Sequence, residues 1–224
     1  MPRLLVVTAV AAEADAFLAG FSGAAPGQVG GRSVRRVLTP AGLVDVLAAG
    51  VGPVAAALGT AAVLGQADYD IVLSAGIGGG FGPFALAVAE QAAFADLGAQ
   101  LADGGFASVT ELGFGSAALA ADLELAAEIG RRTGATPGTV LTVATVTGTA
   151  DRAGQLRQRY PDAVAEGMEG FGVAAAASAA GARFGELRSI SNPVGPRDRS
   201  AWQLPAALSE LGRAGHALLQ EGPL

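Results

Sequence analysis

The chain has 224 residues, 51% of them hydrophobic and only 15% charged, with a net charge of −6; this suits one α/β domain with a substantial core. All 14 basic residues are arginine and they form no basic stripe, which argues against a nucleic-acid partner. The absence of cysteine excludes disulfides and thiol chemistry, and a single histidine, His216, excludes a histidine-rich metal site.

Leu4 to Ala9 is a continuous apolar run of strand length, of the kind buried on both faces of a sheet. With only Arg3 before it, the run reads as a first strand rather than a secretory signal. Gly, Pro and charged residues interrupt each later apolar stretch before it reaches bilayer length, so the expectation is a cytoplasmic protein with no membrane partner. Ala11 to Leu18 reads as a helix carrying Glu13 and Asp15 in its first turns. Ser33 to Leu38 and Leu43 to Ala48 flank the turn signal Pro40-Ala41-Gly42 as an antiparallel hairpin. Pro53 to Leu64 is an alanine-rich helix with Pro53 in its first turn. Tyr69 to Ser74 is a buried strand that runs into Gly76-Ile77-Gly78-Gly79-Gly80. Leu86 to Phe94 reads as a strand, and Ala99 to Gly115 as a glycine-rich loop of functional length. A helix is expected over Ala117 to Arg132, and a β-branched strand over Thr139 to Val146, ending in Thr147-Gly148. Next come a short helix over Asp151 to Arg159 and a short strand over Ala163 to Ala165. A helix over Gly170 to Ala180, a strand over Gly185 to Ser191 and a helix over Ser200 to Leu219, interrupted early by Pro205, close the chain. Strands alternate with helices and neither repeat nor linker intervenes. The fold class predicted is α/β: one domain over residues 1–224 with a mixed, mostly parallel central sheet between two helical layers.

Glu13, Gly76 to Gly80, Gly148, Met168-Glu169 and Asn192 all follow the C-terminal end of a predicted strand. In open α/β sheets that edge is where ligands bind. Glu169 stands between Met168 and Gly170. A carboxylate in such a gap can accept two hydrogen bonds from the vicinal hydroxyls of a sugar with charge-assisted strength, while Met168 offers a soft apolar surface to the sugar face. The plainer alternative is an acid at a helix N-terminus. Glu13 admits the same two readings, as a general base on a water or as a first-turn acid. The tract from Gly76 to Gly80 fails the dinucleotide fingerprint, because the third glycine would fall at Phe81 and Gly82-Pro83 follows instead of a helix. It remains either a flat backbone surface for a planar group or a plain turn. Asn192 is a turn former before Pro193 or an amide that donates and accepts at once. Arg197-Asp198-Arg199-Ser200 is a solvated loop or an anion clamp.

Together these residues resemble the purine nucleoside phosphorylase and uridine phosphorylase superfamily, and most closely its nucleosidase branch, which includes the methylthioadenosine/S-adenosylhomocysteine nucleosidases. The resemblance rests on Ala9 to Glu13, on Ala49-Gly50-Val51-Gly52-Pro53-Val54-Ala55-Ala56-Ala57, on Ser74 to Gly80, on Gly167-Met168-Glu169-Gly170 and on Arg188-Ser189-Ile190-Ser191-Asn192, which span nearly the whole chain in family order. It implies that Glu13 activates water, that Met168 and Glu169 bind ribose, with Gly76, Ile77, Gly78 and Gly148 also in the substrate site, and that Asn192 contacts the purine N7. The adenine-specific branch has aspartate where this chain has Asn192. The base-stacking segment after Gly148 is shortened, leaving Phe106, Phe114 and Phe171 as candidates for stacking. Thr147-Gly148-Thr149-Ala150, Gly167 to Gly172 and Ser191 to Asp198 look like the futalosine hydrolases.

The resemblance therefore implies hydrolysis of a nucleoside at C1′–N9 with no metal or organic cofactor. It further implies that the base released is hypoxanthine, a 6-oxopurine that suits Asn192, in the menaquinone pathway that runs through futalosine. Arg197 and Arg199 are candidates for the carboxylate on the 5′ substituent, and a homo-oligomer is expected. The competing readings are another nucleosidase or a phosphorylase of the same fold, and, outside enzymes, a nucleoside-binding sensor.

Overall fold

Alternation along β1 (Arg3–Thr8) sets the layers: Leu4 and Val6 enter one core cluster, Leu5 and Val7 the other, because successive strand side chains face opposite sides of a sheet. All four are buried, and each contributes roughly 1.5–3 kcal/mol relative to an exposed position. The computed structural model describes residues 1–224 throughout.

In chain order β1 is followed by α1 (Ala11–Phe17), β2 (Ala25–Val29), β3 (Arg32–Thr39), β4 (Gly42–Ala48), α2 (Pro53–Leu64), β5 (Ile71–Gly80), β6 (Leu86–Phe94), β7 (Gly98–Gln100), β8 (Phe106–Ser108) and β9 (Ala118–Ala120). Then come α3 (Leu123–Thr133), β10 (Thr136–Thr142), α4 (Ala150–Arg159), β11 (Ala163–Gly167), α5 (Gly170–Ala180), β12 (Arg183–Pro193), a 3-10 turn at Arg199–Ala201 and α6 (Leu204–Gln220). The main sheet runs β11-β10-β6-β12-β5-β1-β4-β3-β2, with β9 added to β6. It is mixed: β1 pairs in parallel with β4 and β5, and β5 in parallel with β12, whereas β3 and β4 form the antiparallel hairpin. Helices α1, α3 and α6 cover the face that holds Leu4 and Val6; α2 and α5 cover the other. The sheet also curls on itself. Ala165 and Glu166 of β11 pair with Gly80 and Gly79 of β5, so β5, β12, β6, β10 and β11 close into a ring.

Four expectations need correction. The glycine tract is no turn: β5 continues through Gly80, because without side chains on Gly79 and Gly80 the backbone can pair with β12 on one side and β11 on the other. The expected helix from Ala117 begins later. Ala118–Ala120 pairs with β6, and α3 starts only after Asp122, whose side chain caps it by accepting from the Leu125 N–H; sheet pairing outweighs the helical preference of the alanines. The expected loop from Ala99 to Gly115 contains part of the small β7–β8 hairpin. Pro205 does not interrupt the last helix but lies in the first turn of α6, where its missing N–H costs nothing.

Candidate active site

A cavity of about 560 Å³ opens where β1, β5, β11 and β12 end, at the carboxyl edge expected of a ligand site. Its wall brings together Glu13, Ile77, Gly78, Met168, Glu169 and Asn192.

Glu13 sits in the first turn of α1, 4% exposed. Its Oε2 accepts from the backbone N–H groups of Ala9 at 2.9 Å and Val10 at 3.2 Å, and its Oε1 accepts from Ile77 N–H at 2.9 Å. Two of these donors belong to the loop after β1 and the third to β5, so the carboxylate ties the two strands together as well as facing the cavity. Glu169 closes β11 and opens α5 without capping it. Instead its Oε1 accepts from Gly52 N–H at 3.1 Å, ahead of α2, and its Oε2 from Met168 N–H at 3.3 Å. Each oxygen keeps a lone pair for a ligand. Glu169 thus stands at the N-terminus of α5 and also makes tertiary hydrogen bonds to the loop ahead of α2.

The residue that the sequence reading missed is Arg188, on β12 and only 1% exposed. Its Nε donates to Glu186 Oε1 at 2.9 Å and its Nη2 to Ser74 Oγ at 2.7 Å, while Nη1 lies 3.6 Å from Glu169 Oε2. Burial opposes its charge, but Glu186, Glu169 and Glu13 outweigh burial and raise its pKa. Glu186 is 0% exposed and burial pushes its carboxyl up, against the pull of Arg188; its Oε2 has no hydrogen-bond partner. A β-carbon on Gly76 would stand 2.6 Å from Arg188 Nη1 and 2.8 Å from Glu13 Oε1, and one on Gly170 2.2 Å from both Glu186 oxygens. The glycines make room for the charge cluster. A signal for it existed in the sequence: Glu186 and Arg188, two residues apart, place opposite charges on one side of a strand that is buried along most of its length.

On β12, Asn192 Oδ1 accepts from Ser191 Oγ at 2.8 Å and its Nδ2 donates to the Pro193 carbonyl at 2.9 Å. These bonds orient the amide and leave one N–H and one lone pair free. Val146 and Met168 add apolar surface. Gly76 and Gly148 do not line the cavity; Gly148 is joined to a lining residue, its carbonyl accepting from Arg197 N–H. None of the three candidate phenylalanines reaches it. Phe106 lies under Arg159, Phe114 is 83% exposed, and Phe171 packs on Phe94. The one aromatic ring in the wall is Trp202, with the Arg197 guanidinium 5.4 Å from its centre; Arg197 and Arg199 line the same end.

Residues 3–220 match the family described as the phosphorylase superfamily. The futalosine hydrolase of Streptomyces coelicolor is 53% identical over 219 residues, covering 93% of this chain and 92% of its own. That of Acidothermus cellulolyticus is 48% identical over 224 residues, covering 96% and 90%. Among solved structures, an S-adenosylhomocysteine nucleosidase from Streptococcus pyogenes superimposes with a TM-score of 0.81 at 19% identity, covering 97% of this chain and 94% of its own. A methylthioadenosine/S-adenosylhomocysteine nucleosidase from Colwellia psychrerythraea, in complex with adenine, gives 0.81 at 20%, covering 100% and 98%. These two establish a shared fold. With the family matched over nearly its whole length and relatives of this identity, the chain belongs to the phosphorylase superfamily and, within it, to the futalosine hydrolase family.

Proposed function

We propose that this protein hydrolyses futalosine at C1′–N9, releasing hypoxanthine and dehypoxanthinyl futalosine, as a step of menaquinone biosynthesis. The observation that carries the reading is the convergence of Glu13, Glu169 and Asn192 on one cavity in a chain 53% identical to a futalosine hydrolase.

Glu169 accepts from the 2′- and 3′-hydroxyls and fixes the ribose. As the glycosidic bond lengthens, positive charge spreads over C1′ and the ring oxygen. Glu13 and Glu169 face that charge with carboxylates already held by backbone N–H groups, so stabilisation requires no reorganisation. Water adds to C1′ and gives its proton to Glu13. The leaving base takes a proton at N7 from solvent, and Asn192 accepts a hydrogen bond from N7–H while its free N–H donates to O6. Arg197 and Arg199 pair with the carboxylate of the 5′ substituent. Val51, Val54 and Leu58, exposed along the start of α2 with Val51 in the cavity wall, support a homo-oligomer that covers this face.

The test is incubation with futalosine, an inosine-type and an adenosine-type nucleoside, with and without phosphate. The expected outcome is free hypoxanthine from futalosine independent of phosphate. Adenine release in preference, sugar 1-phosphate, or binding without turnover would each overturn the reading in favour of a named competitor.

A further inference from the structure

Glu186 takes no part in the hydrolysis above and does not line the cavity, yet it packs against the corner that carries two residues that do. That corner, Gly167-Met168-Glu169-Gly170, leads from the last residue of β11 into the first of α5. Side chains of β12 meet it at both ends. A β-carbon on Gly167 would stand 3.1 Å from Arg188 Nε, and one on Gly170 2.2 Å from both Glu186 oxygens. The guanidinium and the carboxyl therefore lie against bare backbone on either side of Met168 and Glu169. They are joined to each other by Arg188 Nε donating to Glu186 Oε1 at 2.9 Å, and Arg188 Nη1 returns to within 3.6 Å of Glu169 Oε2. A ring of contacts closes: Glu169, the adjoining Gly170 backbone, Glu186, Arg188 and Glu169 again. Of its members only Glu169 reaches the cavity.

The guanidinium is planar, with its donors in a fixed fork. Nη2 is anchored on Ser74 Oγ at 2.7 Å and Nε on Glu186. With two corners of the plane held, the direction of Nη1 is set. Glu186 is 0% exposed and its Oε2 has no hydrogen-bond partner, which makes it a costly side chain to bury. An apolar residue of the same length would avoid that cost but leave the Arg188 Nε–H unmet. Burial pushes the Glu186 carboxyl up; neutral or ionised, it keeps an oxygen that accepts from Nε–H.

We propose that Glu186 is a positioning residue for the ribose-binding carboxylate: by its length and its hydrogen bond to Arg188, and not by its charge, it holds Arg188 and the corner at Gly170 and so sets where Glu169 presents its oxygens. The inference rests on the proposed binding of the ribose hydroxyls by Glu169 and adds the residue that aims it.

The experiment measures equilibrium binding of two probes to the full chain, with thermal unfolding followed in parallel. One probe is the carbon-linked analogue of inosine, which has no glycosidic C–N bond to cleave; the other is its 2′,3′-dideoxy form. The wild type is expected to favour the first by at least about 100-fold, the value of two hydrogen bonds to a charged group. Glu186→Gln keeps the length and an acceptor, and is expected to hold that ratio within about 3-fold. Glu186→Asp keeps the acid but draws it back by one methylene. It is expected to lower the ratio at least about 10-fold, through weaker binding of the probe that has both hydroxyls, because small misplacements in a binding site are costly. Loss of the ratio in Glu186→Gln would show charge at work and overturn the proposal. Retention of the ratio in Glu186→Asp, whether the probes bind as before or weaken alike, would show no tie to the hydroxyls and overturn it too. If Glu186→Asp does not fold, Gly170→Ala displaces the carboxyl from the α5 side and is expected to lower the ratio in the same way; an unchanged ratio there overturns the proposal. A wild type that binds both probes alike, or neither, removes the ribose role of Glu169 and this proposal with it. A wild type that keeps the ratio but leaves futalosine intact retains the proposal and removes the activity.

Discussion

Nη1 of Arg188 stands 3.6 Å from Oε2 of Glu169, and the same guanidinium holds Glu186 through Nε. No arginine lies in the loops around Glu13 or along Gly76 to Gly80, yet the fold delivers one beside Gly76. That cation is already enclosed by Glu169, Glu186 and Glu13, which leaves it unsuited to a phosphate dianion. Phosphate is therefore expected neither to accelerate turnover nor to appear in the product, as phosphate titration with analysis for ribose 1-phosphate would show.

Replacing Glu169 by Gln keeps its size and its bond from Gly52 but removes the charged acceptor. Each hydrogen bond to a charged group contributes roughly 1.5–3 kcal/mol, so loss of two to the ribose is expected to lower kcat/KM by at least about 100-fold with unchanged thermal unfolding. Near-normal kinetics would return Glu169 to an ordinary helix-terminal acid.

For Glu13→Gln, substrate affinity is expected to hold while kcat drops by about 10²–10⁴-fold, the usual contribution of a general base. Glu13 also accepts three backbone N–H groups. Unfolding must be followed in parallel, and a fall in stability with turnover spared would mark the residue as purely structural.

Arg188→Met strands Glu186, which is 0% exposed, and breaking a buried pair in this way costs about 3–5 kcal/mol. The pH dependence has a definite sign. Burial raises the Glu186 carboxyl in the folded state, and removing the cation raises it further. A carboxyl so raised adds stability below its unfolded value of about 4.3 and loses it as pH rises through the folded value. The variant's deficit should therefore be smallest in acid and grow towards neutral pH, and Glu186→Gln in the same chain should recover part of it. Urea unfolding across pH measures both.

Asn192→Asp replaces a donor and acceptor by acceptors alone. It is expected to lower kcat/KM on futalosine and to raise the relative rate on the 6-amino analogue. A preference that does not move would remove Asn192 from base recognition.

Alanine at both Arg197 and Arg199 is expected to harm futalosine far more than plain inosine, because only the former carries the 5′ carboxylate. Kinetics on the two nucleosides settle it, and equal losses would place the clamp elsewhere.

Much of this architecture was legible in the chain itself. The apolar run of β1, the proline-led α2 and the glycine- and alanine-rich α5 are local patterns, and local patterns dictate local structure. The meeting of Glu13, Glu169 and Asn192 on one cavity was also legible, since each follows a strand end and the carboxyl edge of such a sheet is common to all of them. What the tertiary structure alone decided is which groups meet. The pairing of β5 with β11 and β12 turned a glycine tract into a strand, brought Glu166 and Asn192 to either side of Gly79, and set Arg188 among carboxylates from α1, β12 and the start of α5. The cavity's aromatic ring proved to be Trp202 rather than any of the three phenylalanines. These outcomes depend on register between strands distant in sequence, where a shift of one residue turns every side chain to the opposite face, and no local pattern carries that register.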